Sequence, residues 1–236
     1  MSFFELPPEP EPPEAEEPEV PEWAAAPSNV LGGAVPIRLV LAKTRDLAVA
    51  VLGGTAYPTG FEFKLVIRTR WNPEELDDFD PLELHHRFVR RHGRGSERDI
   101  PPELLRFGVE FSDGSKATNL QVLWGGDPSW QPPSPVLMPG RGGGGAGNWE
   151  TEFWVWPLPP EGPLAFVCEW PAREIPLTRL EVDAALVREA AAQAEILWEP
   201  DRGGSSGGSW ARYGMFGLGS PQPDDAEPDD SPPSSS

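Results

Sequence analysis

Residues 61–69, FEFKLVIRT, alternate between apolar and polar side chains along most of their length. Their apolar members share one face of an extended chain: Phe61, Phe63, Leu65 and Ile67. Residues 105–112, LRFGVEFS, repeat the pattern. The inward positions there are Leu105, Phe107, Val109 and Phe111. A period of two is typical of a strand that rests one face on a core. These two segments therefore predict a β-sheet.

Five further segments carry weaker forms of the same pattern. They are IRLVLA at 37–42, LAVAVL at 47–52, KATNLQVLW at 116–124, WETEFWVW at 149–156 and LAFVCEW at 164–170. LAVAVL has no polar face, which predicts a central strand that is buried on both sides. Turn-forming Gly, Pro, Asp and Ser separate the segments. Together they predict a mostly β fold, an immunoglobulin-like β-sandwich of about seven strands.

One helix is expected near the end of this region. Thr178 and Glu181 have the spacing of a capping box, in which each side chain bonds the backbone of the other. An apolar stripe at spacings of three or four follows: Val182, Leu186, Ala190, Ala194 and Leu197. Pro200 blocks continuation. The pattern predicts a C-terminal helix over about 178–198.

The ends of the chain differ in composition from its middle. Residues 1–27 alternate Pro and Glu without a basic residue, and residues 201–236 are rich in Gly, Ser, Asp and Pro. Such segments bury too little apolar surface to offset the entropy of ordering. We expect two disordered tails flanking one domain at 28–200.

Charge and cysteine content limit the partners and the compartment. The formal net charge is −19. The chain therefore lacks the positive field that nucleic acid binding requires, and no nucleic acid partner is expected. Cys168 is the only cysteine, which suits a reducing compartment. No segment has the pattern of a signal peptide or a membrane span. We expect a cytoplasmic protein with no membrane partner.

Residues 74–98 form the most polar part of the middle region. An acidic run precedes all the histidines of the chain, His85, His86 and His92. The same segment holds the arginines of a possible anion or partner patch: Arg87, Arg90, Arg91, Arg94 and Arg98. The histidine spacing matches no zinc pattern, so no metal site is expected. A solvated insertion, an anion site and a patch covered by the acidic N-terminal tail remain open.

Tryptophan is abundant, with 10 residues. Trp154 and Trp156 fall on one face of a predicted strand, together with Glu150 and Glu152. Because tryptophan is enriched at interfaces, Trp154 and Trp156 form a possible partner surface. Core packing and a carbohydrate-binding face are the alternatives.

No catalytic or cofactor motif was found. The glycine run in PGRGGGGAGN at 139–148 has no helix after it, so we expect a flexible connection and no cofactor. Glu150 and Glu152 could act as general acid and base, but such pairs are usually the solvated face of a strand. Cys168 shares an apolar face and is expected to be inert.

Four segments carry a resemblance: AYPTGFEF at 56–63, VEFSDG at 109–114, PVLMPGRGGGGAG at 135–147 and FWVWPLPPEGPLAFVCEWP at 153–171. With these segments the chain resembles a family of uncharacterised proteins from high-GC bacteria. The resemblance covers about residues 35–198 and implies no activity, ligand or cofactor.

A non-enzymatic protein-binding or scaffold module is therefore the leading functional hypothesis, with a protein as the partner. An enzyme that uses carboxylates together with His85, His86 and His92 is the alternative, and a carbohydrate-binding sandwich is another.

Overall fold

The computed structural model describes residues 21–70, 100–121, 132–145 and 147–199. Within them the chain is mostly β, with more strands than the seven expected. The strands are β1 (Val30–Leu31), β2 (Gly33–Lys43), β3 (Leu47–Ala56), β4 (Phe61–Thr69), β5 (Arg106–Glu110), β6 (Lys116–Thr118), β7 (Val136–Gly145), β8 (Asn148–Trp156), β9 (Pro163–Trp170), β10 (Ile175–Asp183) and β11 (Glu195–Ile196). The described helices are a 3₁₀ turn (Pro171–Arg173) and α1 (Ala185–Ala191).

These strands form three antiparallel sheets. The five-stranded sheet has the order β2-β3-β4-β8-β7, and the four-stranded sheet has the order β10-β9-β5-β6. β1 and β11 pair separately as a two-stranded ribbon. Within the described residues no helix is long and apolar enough to span a membrane. The tail expected at 1–27 lies outside the described residues as far as residue 20, and the tail expected at 201–236 and the insertion at 74–98 lie wholly outside them.

The hydrophobic core lies between the two larger sheets. Phe63 of β4 stacks on Phe153 of β8 in its own sheet at 5.7 Å between ring centroids. Across the core it meets Phe107 of β5 at 5.6 Å and Phe166 of β9 at 5.1 Å, the latter edge to face. Aromatic pairs at these distances contribute beyond their area burial. The inward positions predicted for β4 and for 105–112 are all buried, which confirms the alternation.

β3 and β6 differ from their predicted forms. β3 lies inside its sheet, yet within the LAVAVL segment only Leu47, Val49 and Val51 are buried, and Leu52 is 37% exposed. The prediction that both faces are buried is wrong because only one face meets the opposite sheet. β6 ends early because Asn119 takes over the pairing: its side chain accepts from the Phe107 N–H at 2.9 Å and donates to the Leu105 carbonyl at 2.8 Å.

The predicted helix over 178–198 is wrong except at Ala185–Ala191, because a strand precedes these residues and β11 follows them. β10 runs through Thr178 and Glu181, and its register pairs Thr178 with Cys168 and Leu180 with Phe166 of β9. Glu181 accepts a hydrogen bond from Arg179 at 3.1 Å and makes no capping box. Pairing with β9 partly buries every second side chain of β10 from Thr178 onward. The same segment as an isolated helix would lack this burial.

α1 is short and uses a different set of contacts. Asp183 Oδ1 accepts from the Ala185 N–H at 2.9 Å at the start of the helix. Val187, Ala190 and Ala191 are buried, whereas Leu197, which the predicted stripe placed inward, is 46% exposed. The glycine run at 139–148 was expected as a flexible connection, but its residues 139–145 form most of β7, which pairs with β8.

Candidate functional site

The predicted site residues fall into two groups. Arg87, Arg90, Arg91, Arg94 and Arg98 lie outside the described residues, as do His85, His86 and His92. Trp154 and Trp156 are described, and both lie on the outer face of β8, since the intervening Val155 belongs to the core.

Trp154 is covered by the chain's own N-terminal side. The Ala24 N–H donates to the Pro21 carbonyl at 2.9 Å, which closes a turn, and Trp154 Nε1 donates to the Glu22 carbonyl at 3.1 Å. The indole also meets the Tyr57 ring at 5.8 Å. Trp154 is only 3% exposed. The expectation that it forms a partner surface is therefore wrong, because an intramolecular turn already occupies it.

The same turn corrects the predicted extent of the N-terminal tail. Ala24 is buried, and Glu22 is held by the hydrogen bond from Trp154. A disordered tail that runs through residue 27 is inconsistent with these contacts. Composition could not reveal this, because the turn is stabilised by a side chain distant in sequence.

Trp156 keeps part of its ring accessible. It is half-buried, and its direct neighbour on β7 is Val136, which is fully buried. Its use as a partner surface stays a prediction, and without Trp154 it is a single residue rather than a face.

Charged side chains fill most of the remaining outer face of β4 and β8. Arg68 donates to Glu150 Oε1, and Lys64 Nζ lies 3.3 Å from Glu150 Oε2. The hydrogen bond from Arg68, followed by that from Lys64, lowers the pKa of the Glu150 carboxyl. Glu150 therefore stays ionised and joined to two cations, which is unsuited to a general acid.

Glu62 occupies the other end of this face. Burial raises the pKa of its carboxyl, and the nearby charge of Glu152 raises it further. The Tyr57 hydroxyl donates to Glu62 Oε2 at 3.3 Å. Burial, followed by the charge of Glu62, raises the pKa of Tyr57 to about 12, so its hydroxyl stays protonated and keeps the hydrogen that it donates to Glu62. This arrangement ties the β3–β4 turn to β4.

The thiol of Cys168 is also unsuited to chemistry. Cys168 is buried, and burial raises the pKa of its thiol to about 11. No group of His, Cys, Asp and Glu among the residues that the structure describes could hold a metal ion.

The most exposed apolar cluster was missed by sequence reasoning and belongs to the β1–β11 ribbon. Its members are Leu31 at 60%, Ile196 at 67%, Leu197 at 46% and Trp198 at 55% exposed. The ribbon, defined as residues 28–32 and 194–199, consists of segments too short to show a period. The signal in the sequence that could have found them is the run of consecutive apolar residues, because such a run places apolar side chains on both faces of an extended chain.

The register of the ribbon assigns these residues to two faces. Val30 pairs with Ile196, and Leu31 pairs with Glu195. Directly paired residues of an antiparallel ladder point to the same side. One face therefore carries Val30 and Ile196. The opposite face carries Leu31 and the exposed Glu195, and by alternation Leu197, so each face presents exposed apolar side chains.

Hydrogen bonds join the two segments of the ribbon. The Leu197 N–H donates to the Asn29 carbonyl at 2.9 Å, and Asn29 Nδ2 donates to the Trp198 carbonyl at 2.9 Å. Directly after the ribbon, at the first residue of β2, a Cβ on Gly33 would lie 1.9 Å from the Ala190 carbonyl oxygen. The chain that continues from the ribbon into β2 therefore lies directly against α1, whose inner side is buried in the core.

No family model, curated protein or solved structure matches this chain.

Proposed function

We propose that this chain is a non-enzymatic protein-binding or scaffold module that contacts a protein partner through the β1–β11 ribbon. The observation that carries the proposal is the exposure of four large apolar side chains on a ribbon that is fixed at its base. Exposed apolar patches on soluble domains typically mark interaction sites, and tryptophan is enriched among residues that dominate binding energy. A rigid ribbon also loses little conformational entropy on binding.

Two further points belong to this proposal. An immunoglobulin-like β-sandwich is retained as the proposed architecture, supported by a core that lies between two antiparallel sheets. The cytoplasmic location and the absence of nucleic acid and membrane partners stay predictions from composition.

The alternative functions gain no support from the described residues. An enzyme based on Glu150 would have to free that carboxylate from Arg68 and Lys64. A carbohydrate-binding face would need stacked rings that are accessible, whereas Trp154 is covered by the turn at Pro21–Ala24.

The test compares capture of proteins by the immobilised full chain and by an Ile196→Ser, Trp198→Ser double variant. Leu177→Ser is the matched control, because Leu177 is 70% exposed on β10, outside the ribbon. A protein retained by the native chain and the control is then purified and titrated against all three. We expect at least a tenfold weaker Kd for the double variant alone. Partners that bind all three chains equally would exclude the ribbon as the binding surface.

A further inference from the structure

The ribbon has a free strand edge beside its apolar faces. The Leu197 N–H bonds to Asn29, so Leu197 turns its backbone groups toward β1. In an antiparallel pair successive residues alternate in this respect, so the N–H and C=O of Ile196 point to the opposite edge of β11. The sheet contains only β1 and β11, and no other strand among the described residues pairs along that edge.

An extended segment is the kind of partner that such an edge accepts. Its backbone can bond to Ile196 as a third strand, while its alternate side chains cover the face that carries Val30 and Ile196. A helix could cover the apolar face but would leave the backbone groups of the edge unused.

The charges of the ribbon indicate the composition of that segment. Glu195 and Glu199 are both exposed, and residues 28–32 and 194–199 contain no Lys or Arg. Lys or Arg at the rim of a partner strand would complement them. A second copy is disfavoured because it would oppose the same carboxylates, and each chain carries a formal charge of −19.

We propose that the β11 edge binds an extended segment of a partner protein that alternates apolar residues with Lys or Arg. This inference rests on the proposed function, because it names the partner class of the same ribbon. The contact adds one antiparallel or parallel strand to the ribbon and buries the exposed aliphatic chains on one face.

The experiment selects peptides of about twelve residues from a displayed random library on the full chain. The Ile196→Ser, Trp198→Ser variant serves for counter-selection, and circular dichroism verifies its fold. We expect selected peptides that alternate apolar with basic residues. Their Kd should weaken at least tenfold on the double variant and less than twofold on Leu177→Ser. Methylation of alternate peptide nitrogens should also weaken binding at least tenfold, because it removes the donors of the added strand.

Charge reversal provides a separate readout. Glu195→Lys with Glu199→Lys should weaken the basic peptides about tenfold at low salt, with a smaller difference at high salt. Ribbon-dependent peptides that are acidic, or that tolerate methylation, would overturn this inference and leave the proposed function intact. Failure to obtain any ribbon-dependent peptide would contradict both the proposed function and this inference. Sedimentation that shows a dimer lost in the double variant would identify a second copy as the occupant and overturn the inference.

Discussion

The thiol of Cys168 faces the core beside the rings of its neighbours on β9. Burial raises its pKa to about 11, so at pH 8 only about 0.1% of the thiol is ionised, against a substantial fraction for a free cysteine. Because the thiolate is the reactive form, we expect negligible labelling of the folded protein by a thiol reagent at pH 8. Complete labelling is expected in guanidinium. Ellman titration measures both.

The same shift sets the direction of a pH effect on stability. The pKa of Cys168 is higher in the folded than in the unfolded chain. The contribution of the buried thiol to the free energy of unfolding is therefore fully present below about pH 8.5 and is lost as the pH rises toward 11. Rapid labelling of native protein at pH 8 would show that Cys168 is accessible.

At the scale of elements, two adjacent glycines of β7 differ in the space available for a side chain. A Cβ on Gly144 would lie 2.2 Å from the Asn148 carbonyl oxygen, whereas a Cβ on Gly143 would meet nothing within 4 Å. Gly144→Ala should therefore lower the free energy of unfolding by about 1–3 kcal/mol through overpacking. Gly143→Ala should be neutral or stabilise by about 0.4–1 kcal/mol by restricting the unfolded chain.

Urea unfolding of the native chain and the two glycine variants measures the difference. Equal effects at Gly143 and Gly144 would indicate that β7 does not pair closely with β8 in solution.

The assignment of Thr178 to a strand has its own test. If Thr178 were a helix cap, Thr178→Val would lower the free energy of unfolding by about 1 kcal/mol, because Val has no hydroxyl to accept a hydrogen bond from a backbone N–H. As a half-buried residue of β10 it should tolerate Thr178→Val with no loss of stability, since β-branched residues suit strands. Asp183→Ala should instead cost about 0.5–1 kcal/mol, because Asp183 accepts from the first helical N–H.

Thermal unfolding of the two variants separates these expectations. A loss at Thr178 that exceeds the loss at Asp183 would restore the helix over 178–198.

For the whole molecule, residues 21–24 belong to the region predicted as tail and yet pack against Trp154. Removing residues 1–20 should leave the melting temperature unchanged, since their Pro and Glu composition supplies no core. Removing residues 1–27 should lower the free energy of unfolding by about 1–2 kcal/mol. It deletes the carbonyl that accepts from Trp154 and exposes the indole.

By calorimetry, the chain that lacks residues 1–27 should melt below the chain that lacks residues 1–20, by about 2–4 °C for each kcal/mol of lost stability. Its tryptophan emission should also shift to the red as Trp154 enters water. Identical melting temperatures for the two truncated chains would mean that the turn at 21–24 contributes nothing.

Sequence alone was sufficient where one segment carries its own periodic pattern. The alternation at 61–69 and at 105–112 identified the buried residues of β4 and β5, and the neighbours of Cys168 were assigned to the correct face. This succeeds because side chains of a strand alternate regardless of the partner strand. The mostly β class follows from the same local property.

The tertiary structure decided the features in which distant segments compete or meet. Residues 178–183 fit both a capping box and an alternating strand, and pairing with β9 outweighs a cap that contributes about 1 kcal/mol. The burial of Trp154 depends on the turn at Pro21–Ala24, and the exposed ribbon depends on the pairing of residue 30 with residue 196. Contacts across such sequence separations leave no local period, so the candidate binding surface became visible only in the folded chain.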